Sequence, residues 1–188
     1  MEKKYCLTEN TKTINGITLY QIQALKDFSN VKKGDLGGWI EKEKNLSQVG
    51  SCWVYGNAQV YGNAKVSGDA WVFENARVYG TAWVFENAQV YGNAQVFNNA
   101  WVFENAWVFE NAQVYGNVQV FNNAKVFGNA WVFGSARVYE NAWVCGEAQV
   151  FNKPKHFQIK KVMLFYIKKL IKQMEDIFHF MILILNIK

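Results

Sequence analysis

Histidine is nearly absent from this chain: there are two in 188 residues, His156 and His179, and none between residues 51 and 152. A histidine general base is therefore missing from the whole central stretch. The three cysteines, Cys6, Cys52 and Cys145, are odd in number and far apart, with no CxxC pair or Cys/His cluster. That argues against a disulfide scaffold or a zinc site and fits a reduced, cytoplasmic setting. No run reaches the roughly 18 apolar residues of a membrane-spanning helix. The N-terminal stretch MEKKYCLTENTK has no apolar h-region, so no secretory signal is expected. No phosphate loop, paired-carboxylate site or metal cluster is present, and neither cofactor nor metal is expected.

What the chain does have is repetition. Seventeen valines stand six residues apart, from Val54, Val60, Val66, Val72, Val78, Val84, Val90 and Val96 on to Val150. From Val54 to Val144 an alanine follows four residues after each, with Val118 the one substitution. Such a period marks a stack of small structural units. The unit reads x-Val-aromatic-(Gly/Glu/Asn)-Asn-Ala. Ala-x-Val is a short extended stretch with Ala and Val on one face. The two positions after the aromatic, as in Gly56-Asn57 and Gly92-Asn93, read as a corner, since Gly and Asn tolerate left-handed backbone. Three hexads would close a triangular coil of 18 residues, and coils about 4.8 Å apart would make a prism roughly 27 Å long. The fold class expected is all-β, a single-stranded parallel β-solenoid.

Three segments follow. Residues 1–48 read as a β-rich N-terminal cap: Asn15-Gly16 is a hairpin turn, Leu19 to Leu25 mostly alternates like a half-buried strand, and Gly34 to Ile40 is turn chemistry ahead of Trp39. Such a cap would cover the hydrophobic end of the first coil. Residues 49–152 are the solenoid. Residues 153–188 begin at Lys153-Pro154-Lys155 and turn Lys-, Ile- and Phe-rich with a helix-like apolar stripe. This basic tail has three readings: a helix covering the last coil, a peripheral membrane contact, or the product of a truncation or frameshift.

The net charge of +5 divides unevenly, +2 over residues 1–50, −3 over 51–152 and +6 over 153–188. A mildly acidic array is no platform for nucleic acid, which needs clustered Lys and Arg.

The position before each valine includes Lys65, Arg77, Lys125 and Arg137, which must point outward; valine and alanine, of opposite parity, must point inward. The residue after valine shares the outward parity and is nearly always aromatic, as at Tyr55, Phe73 and Phe109. At 18 residues per coil, one face presents Trp53, Trp71, Gln89, Trp107, Lys125 and Trp143, hereafter the Trp-rich face. A second, the mixed face, presents Lys65, Trp83, Trp101, Gln119 and Arg137. The third, the Gln-rich face, carries Gln59, Arg77, Gln95, Gln113, Trp131 and Gln149. An aromatic exterior of this extent exceeds what a soluble monomer normally exposes. Trp53, Trp71, Trp107, Trp143, Trp83, Trp101, Tyr55, Phe73 and Phe109 are the candidate binding or assembly surface. Glu74, Glu86, Glu104, Glu110 and Glu140 recur at corners, read as mostly falling on non-coincident coils and serving solubility, with weak cation binding the second reading. Cys52 and Cys145 read as packing residues.

The repeat VYGNAQVYGNAKVSGDA resembles the hexapeptide-repeat class, which implies a left-handed parallel β-helix. It departs from the class at the second position, where an aromatic replaces the usual small or acidic residue. The stretch LYQIQALKDFSNVKKGDLGGWIEKEKNLSQVGSCWVYGNA is similar to uncharacterised bacterial and phage-encoded members labelled as transferases or polymer-forming proteins. The best-known activity of the class, acyl transfer, needs a base that residues 51–152 lack, and no loop interrupts the array to build a pocket. The leading reading is a non-catalytic structural or interaction protein whose partner is a second copy of itself or another protein. A carbohydrate-binding surface is the alternative, with an acyltransferase-like enzyme behind it. An ice-binding surface, usually threonine-rich, finds only Thr81 in the array.

Overall fold

The computed structural model describes residues 2–151, and the expectations for the tail at 153–188 lie outside them. Strand β1 (Tyr5–Ile14) and strand β2 (Ile17–Ala24) form an antiparallel hairpin. Its turn is Asn15-Gly16 with φ of 51° and 78°, as the dipeptide predicts. Strand β3 (Leu36–Ile40) pairs antiparallel with β2 on one side and parallel with Gln59–Val60 on the other. Seventeen short strands then run from Trp53–Val54 to Gln149–Phe151.

The strands fall into three sheets, one per prism face. The Gln-rich face is continuous with the cap in a nine-stranded sheet, the Trp-rich face has six strands and the mixed face five. Every array pairing is parallel and in register at 18 residues, Val54 on Val72, Val60 on Val78 and Val66 on Val84. Three hexads therefore make one coil. Outward residues donate their backbone N–H to the next coil, Gln59 to Ala76 O at 2.9 Å and Trp71 to Ala88 O at 3.0 Å. The valine ladder from Val54 to Val144 is buried throughout, with the alanines packed between; Val118 fits in an alanine's place.

Two details of the register differ from the expectation. The inward ladder begins inside the cap. Ile40 pairs with Val60 and Leu46 with Val66, so these two, also six residues apart, belong to the coil below. Two extra residues before Val54 hide the continuity. The corners also divide their labour. Only the first corner residue is left-handed, including Glu74, Glu86, Glu104, Glu110 and Glu140 at φ of 57–60° and Asn98 and Asn122 at 57°. The asparagine after it instead hydrogen-bonds along the stack, Asn57 to Asn75, Asn75 to Asn93, Asn93 to Asn111 and Asn111 to Asn129, at 3.1–3.4 Å. Those amides tie neighbouring coils at their exposed edges.

Candidate functional site

The cap decides which outward positions are free. Trp53 and Gln59 have outward parity but are 1% and 8% exposed, because the cap lies over the first coil on those two faces. Trp53 was expected at the head of the outward ladder; it is a core residue instead. Its ring meets Tyr5, Phe28 and Tyr55 edge-on at centroid distances of 6.0, 5.3 and 6.5 Å. Gly37 makes room for it, since a Cβ there would lie 2.7 Å from the indole.

Beside Trp53 sits a small polar cluster. The Lys4 ammonium is buried and donates to Cys52 O at 2.9 Å, Gly50 O at 3.2 Å and Cys52 Sγ at 3.3 Å. Burial holds the Lys4 amine below its usual range and pushes the Cys52 thiol up. A desolvated, protonated thiol is a poor nucleophile. Cys145, pushed up by burial and by Glu110, is no better placed. The single Tyr5 hydroxyl proton is shared between Leu46 O at 2.8 Å and Glu43 O at 2.9 Å, and burial raises the phenol's pKa strongly. Both bonds need the phenolic proton. A pKa raised on folding means stability is complete below the unfolded value, about 10, and is lost as pH climbs above it. Tyr5→Phe should cost about 1–3 kcal/mol at neutral pH and should lose less stability than the parent between pH 9 and 11, as read by urea titrations at each pH.

The aromatics after each valine form three stacked ladders at the prism edges. One runs Tyr61, Tyr79, Phe97, Tyr115, Phe133; another Phe73, Tyr91, Phe109, Phe127; the third Phe85, Phe103, Phe121, Tyr139. Successive rings lie 4.6–5.3 Å apart and within 1–13° of parallel. The coil spacing causes this, since strands about 4.8 Å apart set equivalent rings at stacking distance. Each ring covers its neighbour's face, and the ladders are half-buried. Phe109 therefore presents its edge to solvent, while Phe73, the first ring of its ladder, is stacked on one face only. Tyr55 is not stacked in a ladder; it meets Trp71 edge-on at 5.8 Å and its hydroxyl donates to Asn30 Oδ1 at 2.8 Å.

Four of the five exposed aromatic side chains among the described residues are tryptophans before a valine, the fifth being Phe151. On the mixed face Trp83 and Trp101 stack at 5.5 Å and 10°, and are 39% and 38% exposed. The Lys65 ammonium lies 5.0 Å from the Trp83 centroid. On the Trp-rich face Lys125 lies between Trp107, at 4.1 Å, and Trp143, at 5.7 Å. Trp71 and Trp107 are half-buried, whereas Trp143 and, on the Gln-rich face, Trp131 are exposed. The predicted surface residues are thus split between two faces, one edge and the site under the cap, and the continuous exposed pair is Trp83–Trp101.

The corner carboxylates are more ordered than their spacing suggested. Glu86, Glu104 and Glu140 share one column beside the mixed face, with Asn122 between the last two. Glu86 Oε2 accepts from Glu104 N at 2.8 Å, a Glu104 carboxylate oxygen accepts from Asn122 Nδ2, and Asn122 Oδ1 accepts from Glu140 N at 3.1 Å. Among the described residues no His, Cys, Asp or Glu cluster has the arrangement of a metal site, and no helix is long and apolar enough to cross a membrane.

Residues 58–74 and 88–104 match the family described as YdcK Beta solenoid repeat. A protein of Escherichia coli strain K12, named Uncharacterized acetyltransferase YdcK, is 39% identical over 61 residues. The match takes in 28% of this chain and 19% of that protein. The chain is a β-solenoid of the hexapeptide-repeat kind and shares its repeat with that family, while spanning less than a fifth of the relative's length.

Proposed function

We propose that the chain is a structural or interaction protein whose tryptophan-bearing faces contact a second copy or another protein. The exposed Trp83–Trp101 stack carries this reading. Large aromatics and arginine are enriched at protein interfaces and depleted from free surface, and this pair lies in the same column as Lys65 and Arg137. A cytoplasmic setting agrees with three free thiols, one of them, Cys52, buried beneath the cap. The full chain is expected to run larger than a monomer in sedimentation at high concentration. Trp83→Ser with Trp101→Ser should weaken that association at least about tenfold, the loss of more than one interface hot spot. A parent chain that stays monomeric at every concentration rules out self-assembly through these faces.

Sugar binding fits less well. Stacking a sugar needs an open ring face, and within the ladders the inner rings have both faces covered by the rings above and below. Lys125 occupies the space against Trp107. A glycan array that returns hits abolished by Trp143→Ala would reverse this ranking. Acetyl transfer is suggested by the relative's name. Residues 51–152 supply no histidine base, so turnover of an acetyl donor that disappears in His156→Ala is the result that would establish it.

A further inference from the structure

Charge in the array is sorted by position. All four basic side chains, Lys65, Arg77, Lys125 and Arg137, stand on flat faces before a valine, and all seven acidic ones stand at corners. Among the described residues no salt bridge joins these bases to Asp69, Glu74, Glu86, Glu104, Glu110 or Glu140. Three of the four bases lean on aromatic rings instead, Lys65 on Trp83, Lys125 on Trp107 and Arg137 on Phe121 at 5.2 Å. The acids occupy only two of the three corner columns, and the corner after the Gln-rich face has none.

On the mixed face alone do bases and acids match coil by coil. Its column reads Lys65, Trp83, Trp101, Gln119, Arg137. The corner column three or four residues on reads Asp69, Glu86, Glu104, Asn122, Glu140. Lys65 and Asp69 share the first coil, and Arg137 and Glu140 the last, four coils or about 19 Å away. All four of these end residues are exposed. On the Trp-rich face the coil that carries Lys125 has only Gly128 and Asn129 at its corner, so no such match exists there.

Resting on the assembly reading above, we propose that this face and its acidic corner form a self-complementary strip that pairs two copies of the chain side by side, with their solenoid axes parallel. A two-fold axis running along the boundary between face and corner exchanges the two columns and keeps every coil at its own level. Lys65 of each copy then meets Asp69 of the other, and Arg137 meets Glu140. Trp83 and Trp101 face Glu86 and Glu104, whose carboxylates can accept from the indole N–H groups. An antiparallel two-fold would lay the face column on itself and set Lys65 against Arg137, which like charge opposes. Burial of the tryptophans supplies the attraction, and the end charges set the register.

The test uses two full-length variants, Lys65→Glu with Arg137→Glu, and Asp69→Lys with Glu140→Lys. Each alone places like charges at both ends of the strip and should weaken self-association at least about tenfold in sedimentation. Mixed in equal amounts, they restore opposite charges at every contact and should pair as well as the parent. Asp69 also accepts from Ser51 N at 2.9 Å; should its variant misfold, Arg137→Glu mixed with Glu140→Lys repeats the test at the far end. Variants that associate like the parent, or a mixture that stays monomeric, overturn the pairing and leave assembly by another face standing. A monomeric parent overturns both.

Discussion

Val96→Asp is expected to abolish the cooperative fold. Val96 lies on the strand Gln95–Asn98 in the middle of the nine-stranded sheet, between Val78 and Val114, and is fully buried. The interior there is valine and alanine, which offer a carboxylate no side-chain donor. An unpaired buried carboxylate costs several kcal/mol, against a total stability of about 5–15 kcal/mol for an ordinary domain. A solenoid holds together only through neighbouring coils, so a break at this level leaves two short stacks. The β signal in circular dichroism should fall sharply, with proteolysis near residue 96. Gln95→Asp, one residue away and outward, should change stability by only about 0.5 kcal/mol or less.

Trp53→Ala carries the second large effect, a loss of about 3–5 kcal/mol. The indole joins the cap to the first coil through Tyr5, Phe28 and Tyr55. Gly37 and Gly38 are fitted to the coil as closely: a Cβ on Gly38 would lie 2.6 Å from Val54 Cγ1 and 2.8 Å from Ala58 O. Backbone this tightly placed has little freedom to collapse into the vacated space. Hydrogen exchange should speed up across β1–β3 and the first coil, while amides of Trp107 and Lys125 keep their protection. Uniform acceleration along the whole chain would show instead that cap and solenoid unfold as one unit.

How far the residues foretold this structure depends on what each position answers to. Valine every six residues and Lys or Arg just before it were enough for inward and outward parity, and the coil of three hexads followed. Parity speaks to direction and not to cover. Trp53 and Gln59 point outward like Trp71 and Arg77, yet they are buried, because the cap that covers them comes from residues far away in sequence. Ile40 and Leu46 carried the same six-residue signal, but two extra residues before Val54 broke the count. The aromatic exterior was legible as composition. That its rings stack face to face follows only from combining the 18-residue coil with the strand spacing. The same combination brings Glu86, Glu104 and Glu140 into one column, where hexad-by-hexad reading had scattered them.

The three-sided coil also governs what copying errors in the coding sequence can do. ENAQVYGNAQVFNNAWVF, starting at Glu86, recurs as ENAQVYGNVQVFNNAKVF, starting at Glu110. That offset is four hexads, one full coil and one further side. Gln89 on the Trp-rich face thus has its counterpart, Gln113, on the Gln-rich face, and Trp101 on the mixed face has Lys125 on the Trp-rich one. Gains or losses of 18 residues lengthen or shorten the prism and leave its three exteriors as they were. Multiples of six that are not multiples of 18 keep the interior intact and turn everything beyond by a third of a revolution in one sense or the other, so this architecture can redistribute its surface by changing length alone, without one new residue in its core.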